Sequence, residues 1–539
     1  MSPAHLETTA SQPGRALRVH PSLDELLAYD GDASHVAVSA TFVADTITPI
    51  SAFARLRQGV QGGTFLFESV EGGELMGRYS FMAAGLTDGV SFKDGIATIT
   101  ERGQSRDVPF TDPLDLLRAR LADWRVWSPV PLPRFHGGAV GWLGFDCVQY
   151  FEGVPLPPGA GVDAPEARLL SADFVAAYDH LRHRITLIAH APLRSDSPDA
   201  RTTDARTTGW RAARTRLQRA ARRLHTPAEL QPLVDPDDTS WPTPDFVANR
   251  TRADMEAAVL RGKEAISAGE VFQVVVSQRL TVHAQIDPLH LYRCLRALNP
   301  SPYMFLLEFD DVALVGASPE VLVRLEGDEV LVRPIAGTRR RGATESEDQA
   351  LAAELLADEK ELAEHRMLLD LGRNDVGRVA KLGTVRVDDP LHIERYSHVM
   401  HLVSDVRGTL ADGLDCFDVF RACFPAGTVS GAPKVRACEL LAELEPDRRG
   451  IYAGAVGYFG VGGDMDTCIA IRTLVVEPDA VHAQAGAGVV FDSVPALEHE
   501  ECLHKARAGL RAVAAALAEA PDAALSPDAA LSPRTAEAS

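Results

Sequence analysis

The chain has no apolar run long enough to cross a bilayer, no paired cysteines and no surplus of positive charge, and each absence removes a class of function. Without such a run, membrane insertion is not expected. The seven cysteines (Cys147, Cys294, Cys416, Cys423, Cys438, Cys468 and Cys502) are scattered, odd in number and never in a CxxC pair. Neither a disulfide framework nor a zinc site is expected, and reduced thiols suit a cytosolic protein. Lys and Arg number 54 against 75 Asp and Glu, a formal net charge of −21 that repels a phosphate backbone. The basic residues form no stripe interleaved with aromatics, so nucleic acid is not an expected partner. The opening stretch MSPAHLETTASQPGRALRVH lacks an apolar core behind a basic start. A secretory signal is therefore not expected, and a cytoplasmic location is.

What is present is the composition of a globular protein, 46% hydrophobic and 24% charged over 539 residues, enough for a sizeable core. Short alternating runs such as TFLFESV, ATITERG and RITLIAH predict antiparallel strands, and helical spacings elsewhere make the fold class mixed α/β (α+β). The expected organisation is a flexible N-terminus (1–17), an N-terminal α/β region (18–191), a linker region (192–245), a second ordered region (246–518) and a disordered tail (519–539). The linker holds the tandem DARTTDARTT, an Arg-rich stretch expected to form a solvated helix, and a segment rich in Pro and Asp. The tail repeats PDAALSPDAALS and has too little apolar area to offset its ordering entropy. GAVGWLG at 138–144 echoes GAVGYFG at 454–460, which suits either equivalent strands in two similar sheets or a chance match of small residues.

From Glu345 to about Asp375 the apolar residues keep a helical spacing without proline, which places Glu361 and Glu364 one turn apart on one face. A solvated surface with Lys360 and Arg366 as ion-pair partners accounts for one such ExxE. A second pair, Glu498 and Glu501, follows Pro495 near the C-terminus, where acids in a first turn would also complement the helix dipole. Four carboxylates on two facing helices would repel unless a cation sat between them. Oxygen-only ligands suit Mg²⁺, whereas His365 alone beside that face falls short of a zinc ligand set.

FPAGTVSGAPKVRACELLAELE passes from a Gly, Thr and Ser loop into a helix near Pro433, so Thr428, Ser430 and free amides, with Lys434 adding charge, form a candidate anion site. The GxxxxGK[ST] spacing fails, so a nucleotide phosphate is not implied. DTCIAIRTLVV places Arg472 in an otherwise apolar strand, where it needs an anionic partner, either a ligand or a structural carboxylate. In QAGAGVVFD, Gly486 and Gly488 allow close backbone approach to a ligand.

In this order, PIAGTRRRG, DEKELAEHRMLLDLGRNDVGRV, YSHVMHLVSDV, GTVSGAPKVRA, GAVGYFG, DTCIAIRTL and QAGAGVVFDS closely resemble the chorismate-utilising enzymes, and among them the anthranilate synthase component I (aminase subunit) family. The resemblance is dense over about residues 260–515 and reaches the first half through FLFES. It implies a large fold of antiparallel sheets forming a sandwich flanked by helices. It also implies a Mg²⁺ site of Glu361, Glu364, Glu498 and Glu501, with Glu364 and Glu501 the direct ligands, that holds the ring carboxylate of chorismate. Tyr452, Arg472, Gly486, Ala487 and Gly488 would contact chorismate beside Ala336, Gly337 and Thr338. Thr428 would line the site, Glu320 in GASPE would help the ring hydroxyl depart, and His401 in VMHLVS would move a ring proton in the lyase step. On residue type alone, His401 is equally a core histidine satisfied by backbone groups.

Two positions separate relatives. Members that add water generally carry a Lys base where this chain has Gln273, and a neutral amide cannot take water's proton. Aminodeoxychorismate synthases typically read PIKGT where this chain reads PIAGT, so Ala336 rules out covalent capture there. The implied activity is conversion of chorismate and ammonia to anthranilate and pyruvate via 2-amino-2-deoxyisochorismate, at the start of tryptophan biosynthesis. Two other readings compete: a 2-amino-2-deoxyisochorismate synthase of secondary metabolism lacking the lyase step, and a non-catalytic tryptophan-sensing protein. By the same resemblance Ser69, Pro302, Tyr303 and Met304 line an inhibitory tryptophan pocket. Arg340 stands where the family often has Pro. No cysteine has the neighbours of a glutaminase nucleophile, so a separate glutamine amidotransferase subunit (component II) is expected, in a complex of two copies of each.

Overall fold

The computed structural model describes residues 17–69, 77–194, 202–228, 230–233, 242–396 and 399–519. Most of the expected flexible N-terminus and, beyond Glu519, the expected disordered tail lie outside the described residues. Two large and almost wholly antiparallel sheets, of thirteen and twelve strands among the described residues, carry the fold. Their inner faces share apolar side chains: the Phe135 ring lies 5.5 Å from Phe81 of one sheet and 4.2 Å from Tyr458 of the other. Helices flank this sandwich, as the resemblance implies.

The runs read as strands are strands: Gly63–Glu68, Ile96–Glu101 and Arg184–Pro192. The two ordered regions are joined strand to strand. Gly63–Glu68 pairs with Tyr303–Glu308 in one sheet, and Gly138–Leu143 pairs with Ala455–Gly460 in the other. The echo between 138–144 and 454–460 is therefore a direct antiparallel pair in one sheet, not equivalent strands in two. A side chain at Gly141 or Gly457 would run into the carbonyl oxygen of Arg168 or Asp466 on the next strand, which explains a glycine at both places.

Two expected helices differ. Thr202–His225 is packed rather than solvated, burying Trp210, Ala213, Leu217, Ala220 and Leu224 at alternating spacings of three and four. The helix expected from Glu345 to about Asp375 is two helices, Glu345–Ala357 and Glu359–Gly377. Asp358 separates them in an extended conformation, its carboxylate accepting from the Lys360 and Glu361 amides. Among the described residues no helix is long and apolar enough to cross a membrane.

Candidate active site

The helix Glu359–Gly377 lies on the strands Ile335–Arg340 and Val399–Thr409, and the helix Pro495–Glu519 lies on Val481–Val489. Between the two acidic helix starts runs Gln273–Val282, paired with Val481–Val489 so that Val275 faces Gly488 and Ser277 faces Gly486. Gln273 Nε2 donates to Glu364 Oε1 at 3.0 Å. On the other side Lys505 Nζ lies 2.6 Å from Glu501 Oε1 and donates to the Gly486 carbonyl at 3.0 Å. Lys360, at the start of the first helix, acts electrostatically on Glu498 of the second. Both acid pairs thus flank one glycine-rich strand.

That strand needs its glycines. A methyl at Gly486 would stand 2.8 Å from the Tyr452 hydroxyl, and one at Gly488 2.8 Å from Gln273 Nε2. Ala487, between them, turns its methyl into the core and offers only its backbone to this face. Arg472 is not inside a strand, as its sequence context suggested. The strand Met465–Ile469 belongs to one sheet and Thr473–Val476 to the other, and Arg472 makes the crossing with a left-handed φ of 51°. Its Nη1 donates to the Lys505 carbonyl at 3.1 Å, with Tyr452 and Glu501 close enough to act on its charge. Burial holds its guanidinium below the usual range, an environment that favours an arriving carboxylate.

Glu361 and Glu498 are strained electrostatically. Burial raises Glu361, and the neighbouring Glu364 charge raises it further; burial and Glu501 do the same to Glu498. A cation would relieve both, and Gln273 Oε1 is buried without a hydrogen-bond partner beside Glu364. In kind the donors fit a hard divalent ion. In the structure each is otherwise engaged: Glu361 with Arg339 at 3.3 Å, Glu364 with Gln273, Glu498 with Ser493 and Glu501 with Lys505. Among the described residues no three His, Cys, Asp or Glu side chains stand together as a ligand set. His365 is not part of this face: it is fully buried, Nε2 lies 2.8 Å from Ser404 Oγ, and burial lowers its pKa to about 4.

Glu320 is buried just beyond the strand Ala313–Ser318, where its carboxyl accepts from Thr428 Oγ1 at 3.1 Å. Burial pushes its pKa up to about 8, so at neutral pH it is predominantly an acid carrying a proton; the Thr428 and Ile335 hydrogen bonds oppose that shift without cancelling it. Lys505 is near enough to act on this carboxyl as well, which links it to the acid pairs. Thr428 belongs to the short helix Gly427–Ser430, and the anion site expected around it loses two members. Lys434 is buried and bonded to Asp375 at 2.9 Å and to the Cys423 carbonyl at 3.1 Å, while Ser430 Oγ donates to the Ala426 carbonyl.

His401 stands opposite Thr338 in the pairing of Val399–Thr409 with Ile335–Arg340, where a bulge falls at Gly337. Its Nδ1 is 3.2 Å from the Gly337 carbonyl and 3.0 Å from Thr338 Oγ1. Only a donor satisfies a carbonyl, so Nδ1 carries the proton and Nε2 keeps its lone pair. Burial lowers the pKa of His401 and keeps it neutral, with the nearby Arg472 charge acting in the same direction. Gly337 has φ 69°, open to glycine and strained for other residues. Ala336 pairs with Leu402 and carries no nucleophile.

The chain that carries this geometry is similar to known proteins. The family model described as chorismate binding enzyme matches residues 79–511. The chain is 45% identical over 490 residues to anthranilate synthase component 1 of Pseudomonas putida, covering 90% of this chain and 96% of the relative. With anthranilate synthase component 1 of Streptomyces coelicolor it shares 44% identity over 523 residues, 95% of each. The chain belongs to the chorismate binding enzymes, in the anthranilate synthase component 1 family. The crystal structure of anthranilate synthase component I from Streptococcus pneumoniae TIGR4 superposes with a TM-score of 0.70 at 34% identity, over 87% of this chain and 99% of that one.

In this member of the family, Ser69, Pro302, Tyr303 and Met304 line one cavity between the two sheets. Its polar wall is built on Asp466, which accepts from the Tyr303 hydroxyl at 3.0 Å and pairs with Arg324 at 2.9 Å and Arg134 at 3.3 Å. Arg340 reaches Glu347 on the surface. Three contributors escaped the motif reading. Arg339 binds Glu354, Asp358 and Glu361; Lys505 joins Glu501 to the glycine strand; and buried Arg449 pairs with Glu445 while donating to the Val429 and Val275 carbonyls. A signal was available for two of them: Glu501 with Lys505 and Glu445 with Arg449 are both spaced four apart.

Proposed function

We propose that this chain is an aminase subunit that converts chorismate and ammonia to anthranilate and pyruvate through 2-amino-2-deoxyisochorismate, at the first committed step of tryptophan biosynthesis. The observation that carries this is Gln273. It stands where water-adding relatives have a Lys base, and its neutral amide, engaged with Glu364, cannot strip a proton from water. Ammonia needs no such help. Glu364 and Glu501 would hold Mg²⁺, with Glu361 and Glu498 beside them, and when bound the ion supplies positive charge to the ring carboxylate. Arg472 and the backbone of Gly486–Gly488 bind and orient the substrate, Tyr452 closes the floor, and Ala336, Gly337 and Thr338 form the wall carrying His401. Glu320 gives its proton to the hydroxyl at C4 as that C–O bond breaks and nitrogen bonds to C2. His401 Nε2 then takes the proton at C2 as pyruvate departs and returns it to the leaving methylene carbon.

Ammonia must come from elsewhere. All seven cysteines are buried, and burial raises every one of their thiols above the usual range, so none serves as a glutaminase nucleophile. The name component 1 borne by the relatives agrees with a component II glutaminase partner; the complex we propose holds two copies of each. With chorismate, Mg²⁺ and ammonium salts at elevated pH, the purified chain should make anthranilate, read by chromatography. Glutamine should replace ammonium only when the partner is added. Glutamine-driven product from the chain alone, or no aminated product with ammonium, would defeat this reading.

The cavity at Ser69 suits tryptophan as a feedback inhibitor, with Asp466 for its ammonium group and Arg134 or Arg324 for its carboxylate. Arg324 and Val321 pair with Asp466 and Cys468, so a ligand that moves the Asp466 wall also moves the strand beginning one residue after Glu320. Ser69→Phe should fill the cavity and raise the tryptophan concentration needed for half-inhibition by about tenfold or more, a loss of roughly 1.4 kcal/mol of binding. An unmodified protein indifferent to tryptophan would dismiss the site.

A further inference from the structure

We propose that a second, smaller cavity behind Glu320 holds one or two ordered waters and returns to Glu320 the proton it spends in each turnover, with Asp375 as the positioning residue. The proposal rests on the reading of Glu320 as the acid for the departing hydroxyl. The cavity has a volume of ≈ 30 Å³ and is lined by Glu320, Thr428, Asp375 and Cys423 together with apolar residues that include Val332 and Leu371. This is room for about one or two waters, which need two to four polar partners to stay.

Those partners are present. Asp375 is only 5% exposed. Its Oδ2 is taken by Lys434 Nζ at 2.9 Å and the Asn374 side chain also acts on the carboxylate, but Oδ1 is buried and makes no hydrogen bond of good geometry among the described residues. A buried carboxylate oxygen of this kind needs a donor. The Glu320 carboxyl and Thr428 hydroxyl in the same lining supply further polar atoms. Neither Asp375 nor Lys434 takes part in the acid pairs or the glycine strand, so the substrate site leaves this charge pair unexplained.

The proton count requires that Glu320 be reprotonated in every turnover. Glu320–OH gives its proton to the C4 oxygen, the C–O bond breaks, and water forms. Nitrogen bonds to C2 and releases one proton to solvent. Glu320, now a carboxylate, takes a proton from the cavity water, which solvent restores, so the cycle consumes none. Asp375 fixes that water without itself changing charge.

The test uses the full chain with chorismate, ammonium and Mg²⁺, and the variants Gly372→Ala and Asp375→Asn. Gly372 lines the cavity, and a methyl there meets Val332 Cγ1 and Val406 Cγ2 at 3.5 Å, an ordinary contact, so the variant narrows the cavity without displacing its neighbours. Asp375→Asn keeps the volume and removes the charge. In both, kcat for amination should fall about tenfold, KM for chorismate should hold, and the solvent deuterium isotope effect on kcat should rise as proton return becomes limiting. An unchanged kcat and isotope effect in both variants overturns the proposal. So does a raised KM with an unchanged isotope effect, which marks packing damage alone. If the unmodified protein makes no aminated product, the Glu320 reading itself falls; if it does and the variants are indifferent, only the cavity's role does.

Discussion

Exhaustive chelation should stop product formation, and Glu364→Gln or Glu501→Gln should do so at metal concentrations that saturate the unmodified protein. The basis is the electrostatics of the two helix starts. Glu361 and Glu498 are held above the usual carboxylate range by burial and by Glu364 and Glu501, so the site is short of positive charge before any anionic substrate arrives. Lys505 and Arg339 offset part of this deficit. Neither is placed to meet a ligand carboxylate while bound to its own glutamate. A bound divalent ion is worth several kcal/mol in charge stabilisation, and each ~1.4 kcal/mol is tenfold in rate, so losing a direct ligand should cost about a hundredfold to a thousandfold. Titration calorimetry with Mg²⁺ should show the same variants failing to bind the ion. Full turnover after chelation would remove the metal from the mechanism.

The sequence was legible wherever a residue's role depends on local spacing. Paired acids three apart declare a helical face, alternating runs declare strands, and Gly486 with Gly488 declares a close approach, all of which the structure contains. Roles fixed by distant partners were not legible. Lys434 looks like an anion ligand beside Thr428 until the fold brings Asp375 against it from another helix. Arg472 reads as a strand residue because a crossing between two sheets leaves no break in an apolar run; only the positive φ marks it. Asp358 lies within an unbroken helical spacing, yet its capping geometry, reinforced by Arg339 from a neighbouring strand, outweighs that spacing and divides the helix. The Arg-rich helix at Thr202–His225 misled in the opposite sense, since its charges hid a buried stripe from Trp210 to Leu224.

The two acid–base residues should divide the reaction between them. Glu320→Gln keeps shape and the Thr428 contact but has no acidic proton, so the C4 hydroxyl cannot leave as water; amination should fall at least about a hundredfold, the lower end of what such a group contributes. No intermediate should accumulate. In the unmodified protein, burial raises this carboxyl to about 8. Because the protonated form is the active one, its contribution to kcat/KM is full below that pH and lost as pH rises through it. The high-pH limb should therefore disappear from the residual activity of Glu320→Gln. His401→Met should behave differently. With Nδ1 bonded to the Gly337 carbonyl, Nε2 is the basic atom, and its removal leaves Glu320, Thr428 and the acid pairs in place. Chorismate should still be aminated, with 2-amino-2-deoxyisochorismate accumulating in place of anthranilate. Anthranilate formed by His401→Met at the unmodified rate would return this residue to the role of a satisfied core histidine, and an aminated product from Glu320→Gln at that rate would require the proton for the departing hydroxyl to come from another group.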